Sequence, residues 1–331
     1  MRVKIPELKN KMTQVLKVRG YSARDIPFLI DMFLGGELRG HTSHGLAGFS
    51  SFVRQDFSKL AKPKIVKSTP GFILMDAKSN SGNVVGREVA DQLMKRARKQ
   101  VVATAFIKNM DSWLRPGAIA EYIADRDFFA IVINHGGGAS IAPPGGYDPV
   151  LGTNPIAYGI PTNEGPIVVD MATAKRAWGQ VRLANKYGTK LPDQTFYDNK
   201  GNVTRDPKKA WSVMPFGEYK GFALGFLVEM MCGSLLGMPM MVNTNNAGSK
   251  YGVNMLNRGA FILVVSPRSM TNLKTFKSEN SRLIKKIKAT RHRKGERIRI
   301  PGENASGLKA DRLKKDSIEL PRELWRELQS L

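Results

Sequence analysis

An α/β fold is predicted, and two observations carry the prediction. Between residues 63 and 134, apolar runs with strand character alternate with stretches of helical spacing, the pattern of a sheet covered by helices. Helical spacing at both chain ends and a glycine- and proline-rich middle flank that stretch. At 331 residues, 42% of them hydrophobic, the chain can bury a sizeable core as one large domain or two modest ones.

Residues 5–19 and 22–38 read as helices. In the second, Ile26, Leu29, Ile30, Phe33 and Leu34 form one apolar stripe, and Ser22 with Asp25 makes a capping box for its first amides. Gly35, Gly36 and Gly40 then loosen the chain. Leu46, Phe49, Phe52 and Val53 predict a third helix running to about Phe57, with His44 at or near its start. After a Lys/Pro stretch around 62–67 come a strand (GFILMDA), a helix over 84–99, a strand (VVATAFI), a helix over 117–125 and a strand (FFAIVIN). The middle, GGGASIAPPGGYDPVLGTNPIAYGIPTNEGPIVVDMATAK, reads as short strands between tight turns. GFALGFLVEMMCGSLLGMPMM, 221–241, reads as a helix buried in the core, followed by a strand at 259–265. The basic run RLIKKIKATRHRKGERIRIPGE, 282–303, reads as a solvated helix face with Leu283, Ile284 and Ile287 at helical spacing, then an exit strand. A last helix carries Leu324, Trp325 and Leu328, and the chain has no internal repeat.

Composition narrows the function classes. The single cysteine, Cys232, excludes an intrachain disulfide and a multi-cysteine zinc cluster and fits a reducing compartment, so a cytoplasmic location is expected. The opening MRVKIPELKNKM spreads charge among its apolar residues, unlike a secretory leader. On length alone residues 221–241 could cross a bilayer, which needs roughly 20 apolar residues. Glu229 in their middle, recurrent glycine and Pro239 speak against a membrane span. A formal net charge of +24 would attract phosphate-bearing partners, which keeps nucleic-acid binding open as an alternative. No RNP-like aromatic signature and no paired Cys and His of a finger accompany that charge.

The common motifs are missing. No G-x-G-x-x-G follows a predicted strand and no Walker A sequence occurs. HGGG at 135–138 resembles the oxyanion loop of esterases, without the G-x-S-x-G elbow that would go with it. RGHTSHGLAGF, 39–49, holds two of the four histidines. Catalytic zinc takes three protein ligands, so His41 and His44 alone make a poor metal site and no metal is expected. Histidine titrates near pH 6.5 when unperturbed, which suits His44 to protonate a carbonyl oxygen as hydride arrives at carbon. Ser43 and the first amides of a helix could hold a substrate carboxylate there. A polar loop whose histidine bonds a backbone carbonyl is the alternative.

Taken together, RGHTSHG, NSGNVVGREVADQLMKRA, APPGG, LGTNPIAYGIPT, VVDMATA, DNKGNVTRDP, PFGEYKGFAL and RIRIPGE occur in the order typical of the second type of malate/L-lactate dehydrogenase. The chain resembles that family over nearly its whole length. KNMDSWLRPG, KLPDQTFYDNKGNVTRDP and ELPRELWRELQSL look closest to its 2,3-diketo-L-gulonate reductase branch. The resemblance implies a nicotinamide-binding fold unrelated to the Rossmann one, with a mixed, largely antiparallel sheet. It implies a helical N-/C-terminal unit, 1–62 with 268–331, and a cofactor-binding α/β unit, 63–267. It further implies NAD or NADP as cofactor, a 2-oxo or 2,3-dioxo acid as substrate, and a homodimer.

Residue by residue, the resemblance makes His44 the proton donor. The cofactor segment falls on Asp170, Met171, Ala172, Thr173, Ala174, Lys175 and Arg176, with Tyr219 and Lys220 from the Y-K-G element and Gly302, Glu303 and Asn304 from the P-G-E element. Small residues would permit close backbone approach, and the cations would suit a pyrophosphate. Without the family, Asp170 and Thr173 read equally as a turn, Lys220 as a helix end and Gly302 as a turn glycine. Two departures stand out. Gly48 occupies the place of the family's arginine, a bidentate carboxylate clamp, and Ser112 the place of a histidine. Arg115 could in part replace the missing clamp. A working reductase with altered substrate preference is therefore expected. The alternative is a family member with reduced or lost catalysis that binds nucleotide or nucleic acid.

Overall fold

The computed structural model describes residues 1–57, 59–113, 115–243 and 258–331. The N-terminal part holds β1 (Arg2–Lys4), α1 (Ile5–Val18), α2 (Asp25–Leu38), a 3₁₀ turn (Thr42–His44) and α3 (Leu46–Val53). Then follow β2 (Lys64–Thr69), β3 (Phe72–Asp76), α4 (Gly82–Gln100), β4 (Val102–Met110), α5 (Pro116–Ala124) and β5 (Phe129–Asn134). The middle forms β6 (Ile156–Ile160), β7 (Ile167–Met171), α6 (Gly179–Tyr187) and the short strands β8 (Phe196–Tyr197), β9 (Val203–Thr204) and β10 (Ser212–Val213). The last part holds α7 (Tyr219–Cys232), β11 (Arg258–Val265), α8 (Leu273–Lys288), α9 (Glu303–Lys314), β12 (Ser317–Glu319) and α10 (Arg322–Gln329).

The main sheet has the order β2-β3-β4-β11-β5-β6-β7. Only β3 and β4 run parallel, and every other pairing is antiparallel. The parallel pair is joined by α4, since parallel neighbours need a crossover. β11 enters between β4 and β5, and the central strands bury alternate residues: Ala103, Ala105 and Ile107 on β4, Ala130 and Val132 on β5, Ala260, Ile262 and Val264 on β11. One apolar cluster runs from Val3 through these strands to Leu328. The chain ends meet where β1 pairs antiparallel with β12.

Several predicted elements are shorter or different. α2 begins at Asp25 rather than 22, although the Asp25 amide does donate to Ser22 Oγ at 3.1 Å and that hydroxyl to the Asp25 carboxylate at 2.5 Å. α3 stops at Val53, with Phe57 still packed on Phe52 at 5.9 Å between ring centres. β2 was not foreseen, because this edge strand is exposed at every residue and so has no apolar alternation. The exit strand expected after α8 is absent, and residues 289–302 form no ladder.

α7 corrects the expectation of a core helix. Only Gly221, Gly225, Val228, Glu229 and Cys232 are buried on it, while Phe226 and Leu227 are each 51% exposed. Its small residues make the inner face: a Cβ on Gly225 would meet Thr173 Oγ1 at 2.8 Å. The bulky apolar side is left outward. Glu229 is satisfied within the protein, accepting from Asn154 Nδ2 at 2.8 Å and the Met241 amide at 2.6 Å. That carboxylate ties α7 to two loops.

Candidate active site

Three central strands bring chemistry to one edge of the sheet: β4 ends at Met110, β5 ends at Asn134, and β11 starts opposite Met110 with Arg258. The segments after β4 and β5 are bound together there. Trp113 Nε1 donates to Asn134 Oδ1, and Asn134 Nδ2 to the His135 carbonyl. His135 Nδ1 accepts from the Gly259 amide at 3.0 Å and Nε2 faces the Pro239 carbonyl at 3.2 Å. Both ring nitrogens are thus engaged by backbone, a structural role. Gly136 and Gly137 have φ of 123° and 92°, and a Cβ on Gly136 would meet Arg258 Cγ at 2.7 Å. The glycines of HGGG give Arg258 room to lie against the backbone, which answers their likeness to an esterase loop.

His44 lies in the 3₁₀ turn between α2 and α3, half-buried. The turn is closed by the His44 amide bonding the His41 carbonyl at 2.9 Å. Glu37, buried on α2, accepts from the Leu46 amide at 3.0 Å and fixes the start of α3. Burial pushes the Glu37 carboxyl up, against the pull of that amide and of Arg312. Beneath the turn, Arg115 is buried: Nη1 donates to the Met32 carbonyl at 3.2 Å, Nε lies 3.7 Å from Asp170 Oδ2 and Nη2 3.9 Å from Glu121 Oε2. Gly36 permits this approach, for a Cβ there would lie 3.1 Å from the His44 carbonyl oxygen and 3.2 Å from Arg115 Nη1.

The electrostatics of this corner are positive. Burial first, then His41, Arg115, Arg182 and Arg258, pull the His44 pKa down to about 4. His41 falls to about 4 through burial, Arg115 and Arg39. Both imidazoles are neutral at pH 7 without a bound anion. Asp170 is pushed up by burial while Arg115 and the Gly117 amide, 3.1 Å away, oppose that. Gly48 is buried on α3 and Ser112 is buried directly after Asp111. The backbone of Ser43 lies within the turn.

The three predicted cofactor elements, spread over residues 170–304, come together around β7 and the segment that follows it. Asp170 and Met171 end that strand. The Thr173 amide and hydroxyl both donate to the Thr153 carbonyl, the Phe216 amide donates to Thr173, and Lys175 Nζ donates to the Gln194 carbonyl at 2.8 Å. Through Phe216 the segment Ala172–Arg176 reaches the start of α7, where Tyr219 is 63% exposed and Lys220 follows it. Gly302, at φ 79°, sits so close to β7 that a Cβ would strike the Val168 carbonyl oxygen. Glu303 opens α9, accepting from Lys288 Nζ at 2.6 Å, Arg297 Nη2 at 2.8 Å and the Ile300 amide at 2.9 Å. Those bonds hold its carboxyl down to about 2, and exposed Asn304 follows it. Two helix N-termini, an exposed aromatic ring and nearby cations fit a dinucleotide.

Arg258, Asp111, Glu121 and Glu37 were not singled out in the sequence. Each is one charged residue among many, and only the three-dimensional neighbourhood distinguishes it. Among the described residues no group of three His, Cys, Asp or Glu side chains could hold a metal ion.

A half-buried histidine near arginines, beside a rim whose helix N-termini and cations suit a dinucleotide, is in keeping with the dehydrogenases of hydroxy and oxo acids that the chain resembles. The chain belongs to the malate/L-lactate dehydrogenase family, whose profile matches residues 3–329, and the family uses nicotinamide cofactors. L-sulfolactate dehydrogenase of Methanocaldococcus jannaschii is 30% identical over 98% of this chain and 95% of its own length. 2,3-Diketo-L-gulonate reductase of Klebsiella pneumoniae is 26% identical over the full length of both. In fold the chain matches the crystal structure of malate dehydrogenase from Entamoeba histolytica with a TM-score of 0.89, at 23% identity over 100% of this chain and 96% of that one.

Proposed function

We propose that this enzyme reduces a 2-oxo (or 2,3-dioxo) acid to the 2-hydroxy acid with NADH or NADPH, and that His44 donates the proton. The observation that carries this reading is a half-buried imidazole in the turn above Arg115, held neutral by burial and by the charges around it. The substrate carboxylate binds at Ser43, the amides around the turn and Arg115. Its negative charge offsets the arginine field, so the His44 pKa rises when the acid binds and the imidazole gains the proton it donates. In the oxidative direction the neutral imidazole is already a base. The Arg115–Asp170 pair would fix the floor of the turn.

Asp170, Met171, Ala172, Thr173, Ala174, Lys175, Arg176, Tyr219, Lys220, Gly302, Glu303 and Asn304 would hold the nicotinamide cofactor, with Lys175 and Arg176 near its pyrophosphate. Bound there, the cofactor supplies hydride. We further infer a cytoplasmic homodimer, supported by the outward apolar face of Phe226, Leu227 and Met230 on α7, which a second copy would cover. The unit of residues 1–62 and 268–331, stapled by β1 and β12, would close over the α/β unit of residues 63–267.

The test is NADH and NADPH absorbance across a panel of 2-oxo acids, with His44→Ala and His44→Asn alongside. The wild type is expected to consume one cofactor with at least one acid and the variants to lose most of that rate. Full rates in both variants would remove His44 from the chemistry.

A further inference from the structure

Glu121 on α5 meets cations from three parts of the chain. Its Oε1 binds Arg39 Nη2 and, at 3.4 Å, Lys309 Nζ, and its Oε2 lies 3.9 Å from Arg115 Nη2. Arg39 follows α2 directly and so precedes the turn that carries His44. Arg115 lies beneath that turn, and Lys309 is on α9, which starts at Glu303 in the cofactor rim. From Glu303 to Lys309 the helix rises about 9 Å. The side chains of Arg39 and Arg115 are 9% and 6% exposed and that of Glu121 19%, so removing one charge leaves its partners poorly compensated.

α9 is held to the end of α2 at two more points. Arg312, one turn after Lys309, donates to the Glu37 carbonyl, and the Leu308 side chain packs on Gly40, where a Cβ would lie 3.1 Å from Cδ2. The Glu37 carboxylate in turn accepts from the Leu46 amide at 3.0 Å. The helix that opens in the rim is thus tied to α2 directly and, through Glu37, to α3, the two elements that carry the His44 turn between them. Asp170, at the end of β7, reaches the floor of the same turn through Arg115 Nε at 3.7 Å. The two routes join at Arg115, which both carboxylates share.

We propose that Glu121 is a positioning residue that couples the two sites: a cofactor seated at the start of α9 steadies Lys309 and, through Glu121, the end of α2 and Arg115, so that the acid binds the turn more tightly when the cofactor is present. This rests on the reading of β7 and α9 as the cofactor rim and of the His44 turn as the seat of the acid. The link is a continuous chain of packed and charge-paired side chains, the kind of network that carries such coupling. Linkage makes the effect reciprocal, so the acid tightens the cofactor by the same factor. Neither Glu121 nor Lys309 touches a reacting atom in this arrangement. Lys309 is the informative member, because its side chain is 33% exposed and its removal cuts the link to α9 while Arg39 and Arg115 keep their carboxylate.

Fluorescence titration with NADH and NADPH, with and without oxamate, an unreactive analogue of a 2-oxo acid, tests this in wild type, Lys309→Met, Lys309→Arg and Glu121→Gln. Oxamate should tighten the better cofactor about tenfold in the wild type. In Lys309→Met and Glu121→Gln that factor should fall to about two or less, while cofactor affinity without oxamate stays within about twofold of wild type. KM for the best 2-oxo acid should rise about fivefold in both at little changed kcat, the sign of weakened binding rather than lost chemistry. Lys309→Arg should retain most of the coupling because it keeps the charge, and the thermal midpoint of Lys309→Met should stay that of wild type. A merely structural role would lower the midpoint and the bare cofactor affinity together. That outcome, or a coupling factor untouched by Lys309→Met and Glu121→Gln, overturns the proposal. A wild type that binds cofactor and reduces an acid without any coupling overturns it alone, whereas a wild type that binds neither sinks the proposed function and this inference with it.

Discussion

The corner around His44 and the rim around β7 solve different problems. At the corner, specific side chains act through burial and charge: burial, His41, Arg115 and Arg258 lower the pKa of His44, and burial and Arg115 lower that of His41. At the rim, backbone does most of the work, with Gly302 pressed on Val168 and Thr173 locked to Thr153. A corner of this kind changes function when one residue changes identity, whereas the rim tolerates many side chains so long as its backbone path is kept. Under the proposed function, the contrast assigns substrate preference to the corner and cofactor binding to the rim.

Substitutions separate the two regions. His44→Ala should lower kcat about 10³-fold, the scale of a lost general acid, with cofactor affinity unchanged by fluorescence titration. A similar loss of cofactor affinity would merge the two regions into one. Asp170→Ala, which links them, should destabilise the protein by about 3 kcal/mol, because Arg115 is left buried with poorer compensation. Denaturant unfolding reads that loss, and a value under about 1 kcal/mol would mean that Glu121 and the Met32 carbonyl suffice. Gly302→Ala should weaken NADH or NADPH binding about tenfold, since a positive φ and a blocked approach to Val168 both resist a Cβ, while the His44 titration stays as it was.

The smallest effect is on stability against pH. His41 and His44 titrate near 4 in the folded protein and near 6.5 when unfolded. The unfolded chain therefore binds more protons between those values, and folding stability falls as pH drops through that window. His41→Asn should flatten part of this slope in thermal melts between pH 7 and 4. An unchanged slope would show that carboxylates alone cause it.

Much of this was legible in the sequence because it is local. Strand and helix alternation over 63–134 follows side-chain periodicity, and the motif at Arg39–Gly45 marks the turn that carries His44. The exposed edge strand β2 has no periodic signal to read. α7 misled because hydropathy counts apolar residues without telling which face packs, and its inner face is Gly221, Gly225, Val228, Glu229 and Cys232, while its bulky apolar residues face outward. Arg258 was invisible for another reason: its meaning depends on β11 inserting between β4 and β5, a long-range pairing that no local pattern encodes.

The central claim is that binding of an acid converts His44 from a neutral imidazole into a proton donor. Its imidazole titration, followed by NMR of ¹⁵N-histidine-labelled protein with cofactor, reads this directly, with and without an unreactive dianion such as malonate. The account predicts a midpoint of about 4 in the free protein that rises past about 6 when the anion is bound. A midpoint that stays where it was, while the anion is demonstrably bound, would contradict it.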